Sequence, residues 1–366
     1  MPLPFTPLVD SLPSSVPFVG PEALERRTGT MFRTRIGANE SVFGPSPKVI
    51  AAIAAAAADV WQYCDPENHD LKRALAAHLG VKPENVMVGE GIDGLFGYAV
   101  RLFVEPGVTV ATSFGAYPTF NFHVHGFGGR LVTTPYVKDR EDPASLLGLA
   151  TREKARLIYF ANPDNPMGSH WPAKDVEDFI ANLPPASLLM LDEAYGEFAP
   201  QGTLPPLDAS NPNVLRFRTF SKAYGMAGMR LGYAIGHADL ITAFDKIRNH
   251  FGVTRVGQAA GLAALADQPH LQEVVANVAG ARQDIAAIAR ANGLEPLPSA
   301  TNFVAIDCGR DGAYAKRILD TLVASGVFVR MPGVAPLNRC IRVTAGTAKD
   351  LAIFDEELPK ALRAAE

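Results

Sequence analysis

Apolar residues in this chain come in short unbroken blocks that finish in polar ones. VMVG (Val86–Gly89), TVATS (Thr109–Ser113), RLVTTP (Arg130–Pro135), ARLIYFANP (Ala155–Pro163), SLLMLDEAY (Ser187–Tyr195), VLRFRTFSK (Val214–Lys222) and MRLGYAIG (Met229–Gly236) all follow that pattern. Such runs predict strands buried on both faces of a parallel sheet. Helical stretches lie before and between them. The alanine-rich segment between Ser46 and Trp61 is one, since alanine is the best helix former and Pro47 suits a first turn. HDLKRALAAHLG (His69–Gly80) is amphipathic and ends in a capping glycine. A further helix is expected from Asp93 to Phe103. Strand and helix alternation implies a doubly wound α/β domain. Beyond Leu240 the pattern is helical through Asn292. It then mixes NFVAIDC, a helix near Ala313–Ala324, VFVRM, CIRVTA and a last helix, which predicts a smaller α+β domain.

Composition narrows the function classes. The 366 residues carry a net charge of −4, which argues against a polycationic nucleic-acid binder. Cys64, Cys308 and Cys340 form no CxxC pair, so a reduced, cytoplasmic setting is expected. The uncharged run Val49–Ala58 is half the length that a bilayer span needs. MPLPFTPLVDSLPSS lacks a basic segment followed by an apolar one, so it reads as a proline-rich surface arm rather than a secretory signal. His123 and His125 have metal-like spacing but no cysteine or carboxylate cluster nearby, and read as structural. Arg26, Arg27, Arg33 and Arg35 read as a solvated face.

Ligands of open α/β sheets bind at the carboxyl ends of the strands. Four segments put unusual residues there. GEGIDG (Gly89–Gly94) matches a dinucleotide fingerprint in form, but Val108–Ala116 holds no acidic partner. It is compatible with a phosphate turn at a helix start, or with a plain tight turn. In ANPDNPMG, Asn165 either aims an amide at a ligand or caps a rigid loop. Asp192 closes a run of uncharged residues, where a carboxylate needs a cation, either a structural arginine or a protonated ligand atom. Lys222 follows Ser221 at a strand end, with Arg230 beyond; it is a surface lysine or a desolvated, nucleophilic one.

Taken together, Asn165, Asp192 with Tyr195, Ser221-Lys222 and Arg230 resemble the fold-type I pyridoxal-phosphate aminotransferases of class I/II, in their histidinol-phosphate aminotransferase branch. RIGANESVFGPSP, WQYCDPENHDLKRALAAHLGVKPENVMVGEGIDG and CIRVTAGT are similar to segments of that branch. The resemblance implies an α/β fold with a mostly parallel central sheet. It implies an arm (1–40) packing with the small domain, a large cofactor-binding domain (41–250), and a connecting helix with a small C-terminal domain (251–366). It implies pyridoxal phosphate held covalently by Lys222, which also moves the substrate proton. Asp192 would meet the ring nitrogen, Tyr195 and Asn165 the ring oxygen, and Phe114 the ring face. Gly91, Ile92, Asp93, Ser221 and Arg230 would hold the phosphate. Tyr63 would reach the neighbouring subunit of a homodimer. Arg342 would clamp the substrate carboxylate, with Phe18, Asn39 and Arg330 on the substrate side.

Some positions depart from the branch. Ile92-Asp93-Gly94 stands where relatives have Ser-Asp-Glu, removing a phosphate-binding hydroxyl. Met167 replaces a turn threonine. Phe18 stands where the arm carries a tyrosine, which makes an aromatic or apolar amino acid an alternative donor to histidinol phosphate. Arg330 would bind a distal phosphate or stay solvated at its strand end. The implied activity is transamination between an amino acid and a 2-oxo acid such as 2-oxoglutarate. The alternatives are a decarboxylase of the threonine-phosphate type, a nicotinamide oxidoreductase built on GEGIDG, and a ligand sensor on the same fold.

Overall fold

The computed structural model describes residues 3–14 and 18–366. Its strands are β1 (Thr34–Arg35), β2 (Val86–Gly89), β3 (Thr109–Ser113), β4 (Arg130–Thr134), β5 (Leu157–Ala161), β6 (Leu188–Asp192), β7 (Val214–Thr219), β8 (Gly232–Gly236), β9 (Glu295–Pro296), β10 (Phe303–Asp307), β11 (Val327–Phe328) and β12 (Cys340–Thr344). Strands β2 to β8 form one sheet in the order β2-β8-β7-β6-β5-β3-β4. Pairing from β7 through β4 is parallel, whereas β8 runs antiparallel to both β7 and β2. The mostly parallel sheet matches the apolar blocks. The reversal of β8 does not follow from its sequence, because a run buried on both faces reads alike in either direction.

Both faces of this sheet are covered. On β5, Leu157 and Tyr159 join one core cluster while Ile158 and Phe160 join another; β6 divides Leu188 and Met190 from Leu189 and Leu191 in the same way. Strand alternation causes the division. Helices Gly91–Phe103 and Pro118–Gly126 supply Phe96 and Phe120 to the first cluster. Helices Pro143–Glu153 and Ala173–Ala181 supply Leu146, Leu149, Val176 and Phe179 to the second.

Helix boundaries follow local chemistry. Pro47–Ala56 starts on Ser46, whose hydroxyl accepts the Val49 N–H at 3.2 Å. His69–Leu79 ends on Gly80 at φ +69°, a left-handed cap. Other limits differ from expectation. The helix after β2 begins at Gly91 rather than Asp93. Of VFVRM only Val327–Phe328 is strand; Arg330 forms an isolated bridge with Arg342.

The C-terminal third builds a second, antiparallel sheet, β12-β10-β9, packed against helices Gln268–Ala291 and Gly312–Ala324. β1 pairs with β11 in parallel, and the Thr344 N–H donates to the Ile36 carbonyl. Arg33 also pairs with Glu357 at 2.8 Å. Residues 33–36 are thus stitched to the C-terminal third. The long helix Gln268–Ala291 buries Leu271, Val274, Val278, Ala281, Ile285 and Ala289. That spacing of three and four forms a single apolar stripe. Among the described residues, no helix is long and apolar enough to cross a membrane. The three cysteines are buried and unpaired.

Candidate active site

A cleft of about 420 Å³ opens at the carboxyl edge of the large sheet. Asp192 ends β6, Asn165 follows β5, and Ser221 and Lys222 follow β7. Because β8 runs backwards, its first residue, Gly232, pairs with both Gly89 and Thr219. Arg230 therefore re-enters at the same edge. All these side chains line the cleft, as do Ile92, Asp93, Tyr195, Phe18, Asn39, Arg330 and Arg342.

One end of the cleft is a set of donors. The first N–H groups of helix Gly91–Phe103 lack partners within the helix, as at any helix start. Gly91 sits at φ +78°, and a Cβ there would lie 2.6 Å from Nη2 of Arg230. A Cβ on Gly232 would lie 2.8 Å from the Ile92 nitrogen. The two glycines let a guanidinium and a strand end lie directly on the helix start. The Asp93 carboxylate faces Nε2 of His123 at 3.1 Å. Ser221 is buried beside Thr219, whose hydroxyl accepts the Ser221 N–H at 3.0 Å. Backbone donors, hydroxyls and one arginine in this grouping suit a phosphate.

At the floor, Asp192 accepts the Tyr159 hydroxyl at 2.7 Å and the Ala194 N–H at 2.9 Å. Burial pushes its carboxyl up to about 6, while those two bonds favour the charged form. Lys222 donates to the Asn39 carbonyl at 3.1 Å, its Nζ 5.7 Å from the Tyr195 ring centre. Burial, and then the Arg342 charge, bring its amine down to about 8. Asn39 adopts φ +56°; its side-chain amide donates to the Tyr195 hydroxyl at 2.9 Å. Burial raises the Tyr195 hydroxyl well above the usual phenol range.

The rim belongs to the arm and the C-terminal third. Arg342 donates to the Asn165 amide oxygen at 2.6 Å, and burial lowers it to about 10. Arg330 is half-buried. It donates to the Val19 carbonyl at 2.8 Å, and its guanidinium carbon lies 5.2 Å from the Phe18 ring centre. Phe18 stacks on Tyr117 at 6.1 Å.

Two residues named by the resemblance lie outside this chain's own cleft lining. Phe114 is 48% exposed and outside the cleft lining; Tyr117 forms that wall instead. Gly115, at φ +101°, turns the chain between them. Tyr63 is 80% exposed, rests on Phe251 at 4.8 Å and does not line this chain's own cleft. Sequence reading also missed Glu40, Thr219 and Tyr159. Tyr159 had a usable signal: a hydroxyl inside an unbroken apolar strand requires a buried partner.

The donor cup at one end, the buried acid and the amine between them fit pyridoxal phosphate, with its anionic phosphate, basic ring nitrogen and aldehyde. The family profile "Aminotransferase class I and II" matches residues 34–358. A histidinol-phosphate aminotransferase of Anaeromyxobacter sp. (strain Fw109-5) is 38% identical over 94% of this chain and 95% of its own length. One from Carboxydothermus hydrogenoformans is 34% identical over 97% and 98%. The crystal structure of histidinol-phosphate aminotransferase from Sinorhizobium meliloti in complex with pyridoxal-5′-phosphate is 57% identical. It covers 99% of this chain and is covered to 98%, with a TM-score of 0.97. These likenesses favour transamination over the decarboxylase alternative. The chain belongs to the class I and II aminotransferases and is a pyridoxal-phosphate-dependent transaminase of fold type I.

Proposed function

We propose that the enzyme moves the amino group of histidinol phosphate to a 2-oxo acid such as 2-oxoglutarate, with aromatic or apolar amino acids as the alternative donors. One observation carries this reading. Arg330 and Arg342 are joined by backbone pairing and line one cleft beside Phe18 and Tyr117. A phosphate-bearing donor and a carboxylate-bearing acceptor each bring an anion. Arg342 suits the carboxylate, Arg330 the distal phosphate, and the Phe18 ring beside Arg330 an imidazole.

Pyridoxal phosphate, when bound, supplies a protonated ring that withdraws electrons from the carbon bearing the substrate amine. Lys222, its basicity reduced, anchors the cofactor and moves the proton of that carbon. Asp192 keeps the ring nitrogen protonated. With Asn39 donating to its oxygen, Tyr195 is left to donate its own proton to the ring oxygen. Asn165, whose amide oxygen is taken by Arg342, offers its N–H to the same atom. Gly91, Ile92, Asp93, Ser221 and Arg230 form the phosphate cup, and Tyr117 takes the ring-face role assigned to Phe114. Phe18 and Asn39 border the substrate.

The same reading divides the chain into an arm (1–40), a large domain (41–250) and a connecting helix with a small domain (251–366). It makes the active unit a cytoplasmic homodimer. Tyr63, 80% exposed, packs on Phe251 as an aromatic surface suited to a second copy, with Trp61 equally exposed two residues away in the chain, and Tyr63 would serve the neighbouring subunit's phosphate. The test is a half-reaction screen that follows the visible absorption of the bound cofactor on addition of single amines. Histidinol phosphate should give the highest kcat/KM. Faster reaction with phenylalanine or tyrosine would replace it as donor, and sedimentation as a monomer would overturn the shared site.

A further inference from the structure

We propose that Tyr159 is a positioning residue for this reaction: its hydroxyl holds the Asp192 carboxylate in one orientation and favours its charged form, so that the cofactor ring nitrogen stays protonated. This rests on the reading of Asp192 as that nitrogen's partner. β5 and β6 run parallel, with Ala161 opposite Asp192 and Tyr159 opposite Met190. Alternation puts Tyr159, Met190 and Asp192 on one face of the sheet. Tyr159 is therefore the diagonal neighbour that can reach forward to the acid.

Its ring is held from two sides. Phe120 stacks on it at 4.5 Å and 19°, and Phe96 meets it edge-on at 5.6 Å and 88°. Tyr159 has no exposed surface, and among the described residues its hydroxyl has one partner, Oδ2 of Asp192 at 2.7 Å. Phenylalanine would fill this space equally well, as Phe96, Phe120 and Phe217 do around it. A hydroxyl carried into such surroundings costs free energy unless it is bonded. Its chemistry is therefore directed at the acid.

The Ala194 N–H occupies the other carboxylate oxygen at 2.9 Å. One donor on each oxygen fixes the carboxylate plane and leaves the remaining lone pairs for the cleft. The same two bonds counter the burial that disfavours the charge. Without the tyrosine hydroxyl, Asp192 holds a proton more readily, and the proton it would share with a ring nitrogen moves onto the acid. The ring then loses its positive charge, and with it the ability to draw electrons.

The test uses Tyr159→Phe, which keeps the ring and removes one O–H. In enzyme loaded with cofactor labelled with 15N at the ring, the nitrogen resonance should move toward the unprotonated position. Cofactor Kd should rise about tenfold (~1.4 kcal/mol). For an analogue with C–H in place of the ring nitrogen, parent and variant should bind alike. kcat should fall while KM changes little, and the melting temperature should stay close to the parent's. A parent-like nitrogen resonance, or equal loss of affinity for cofactor and analogue, would reduce Tyr159 to packing and overturn the proposal. A parent enzyme that binds cofactor and analogue equally well would instead overturn the reading of Asp192 itself.

Discussion

At the floor of the cleft, Asp192, Ser221 and Lys222 stand at or just beyond the ends of neighbouring parallel strands; at the rim, Phe18, Asn39, Arg330 and Arg342 come from opposite ends of the chain. Strand register places the floor groups, and the partners of Asp192 are local: Tyr159 on the adjoining strand and Ala194 two residues on. The rim depends on the arm joining the C-terminal third through β1 and β11, and on a backbone bridge between its two arginines. The contrast separates two tasks. On the proposed reading, chemistry common to all substrates sits on the rigid sheet edge, and recognition of particular substrates sits where two segments meet.

Removing the floor amine should have the largest effect. Lys222→Ala is expected to cut turnover by at least about 10³-fold and to end covalent attachment of the cofactor, read by borohydride reduction and mass. Normal kinetics would move the base elsewhere. Asp192→Ala should follow with a loss of about 10²-fold in kcat. A loss below about tenfold would mean that the floor does not depend on a protonated ring.

At the rim the effects should be smaller and selective. Arg342→Ala should raise KM for every carboxylate substrate, and Arg330→Ala for the phosphate-bearing donor, each by roughly ten- to a hundredfold. Identical profiles from the two variants would dissolve the division of anions between them. The smallest effect concerns stability. In cofactor-free protein, Lys222 titrates near 8 rather than at the ordinary 10.5, chiefly through burial. Between those values the unfolded chain binds more protons, so stability contributed by this site rises with pH. The melting temperature of the parent relative to Lys222→Met should climb between about pH 8 and pH 10.5; a flat difference would show that the amine is not desolvated.

The floor was legible in the sequence, because a charged residue at the end of a continuous apolar run announces a strand end and a buried charge. The parallel strands and the placing of Asp192 and Lys222 at strand ends came from that signal, whereas the turn at Gly91 was read from its glycines and its phosphate role from the family resemblance. The rim was harder to read. Nothing local tells that Arg330 bonds the Val19 carbonyl, or that the Asn39 carbonyl meets Lys222, since both depend on pairing between distant segments. Tyr117 went unread beside Phe114 because the turn at Gly115, which separates the two rings, leaves no mark in the hydrophobic pattern.

The backward run of β8 has a practical consequence. In an all-parallel sheet, the segment after Lys222 would need a crossover of a dozen or more residues and would bring Arg230 back at the far edge. Here a single hairpin carries Lys222, the proposed anchoring amine, on its outgoing limb and Arg230, the proposed phosphate grip, on its return. The distance between those two grips, which must match the span of one small coenzyme, is therefore set by the length of a single loop. Lengthening that loop would put the two grips out of step, whereas transplanting it whole would move both together.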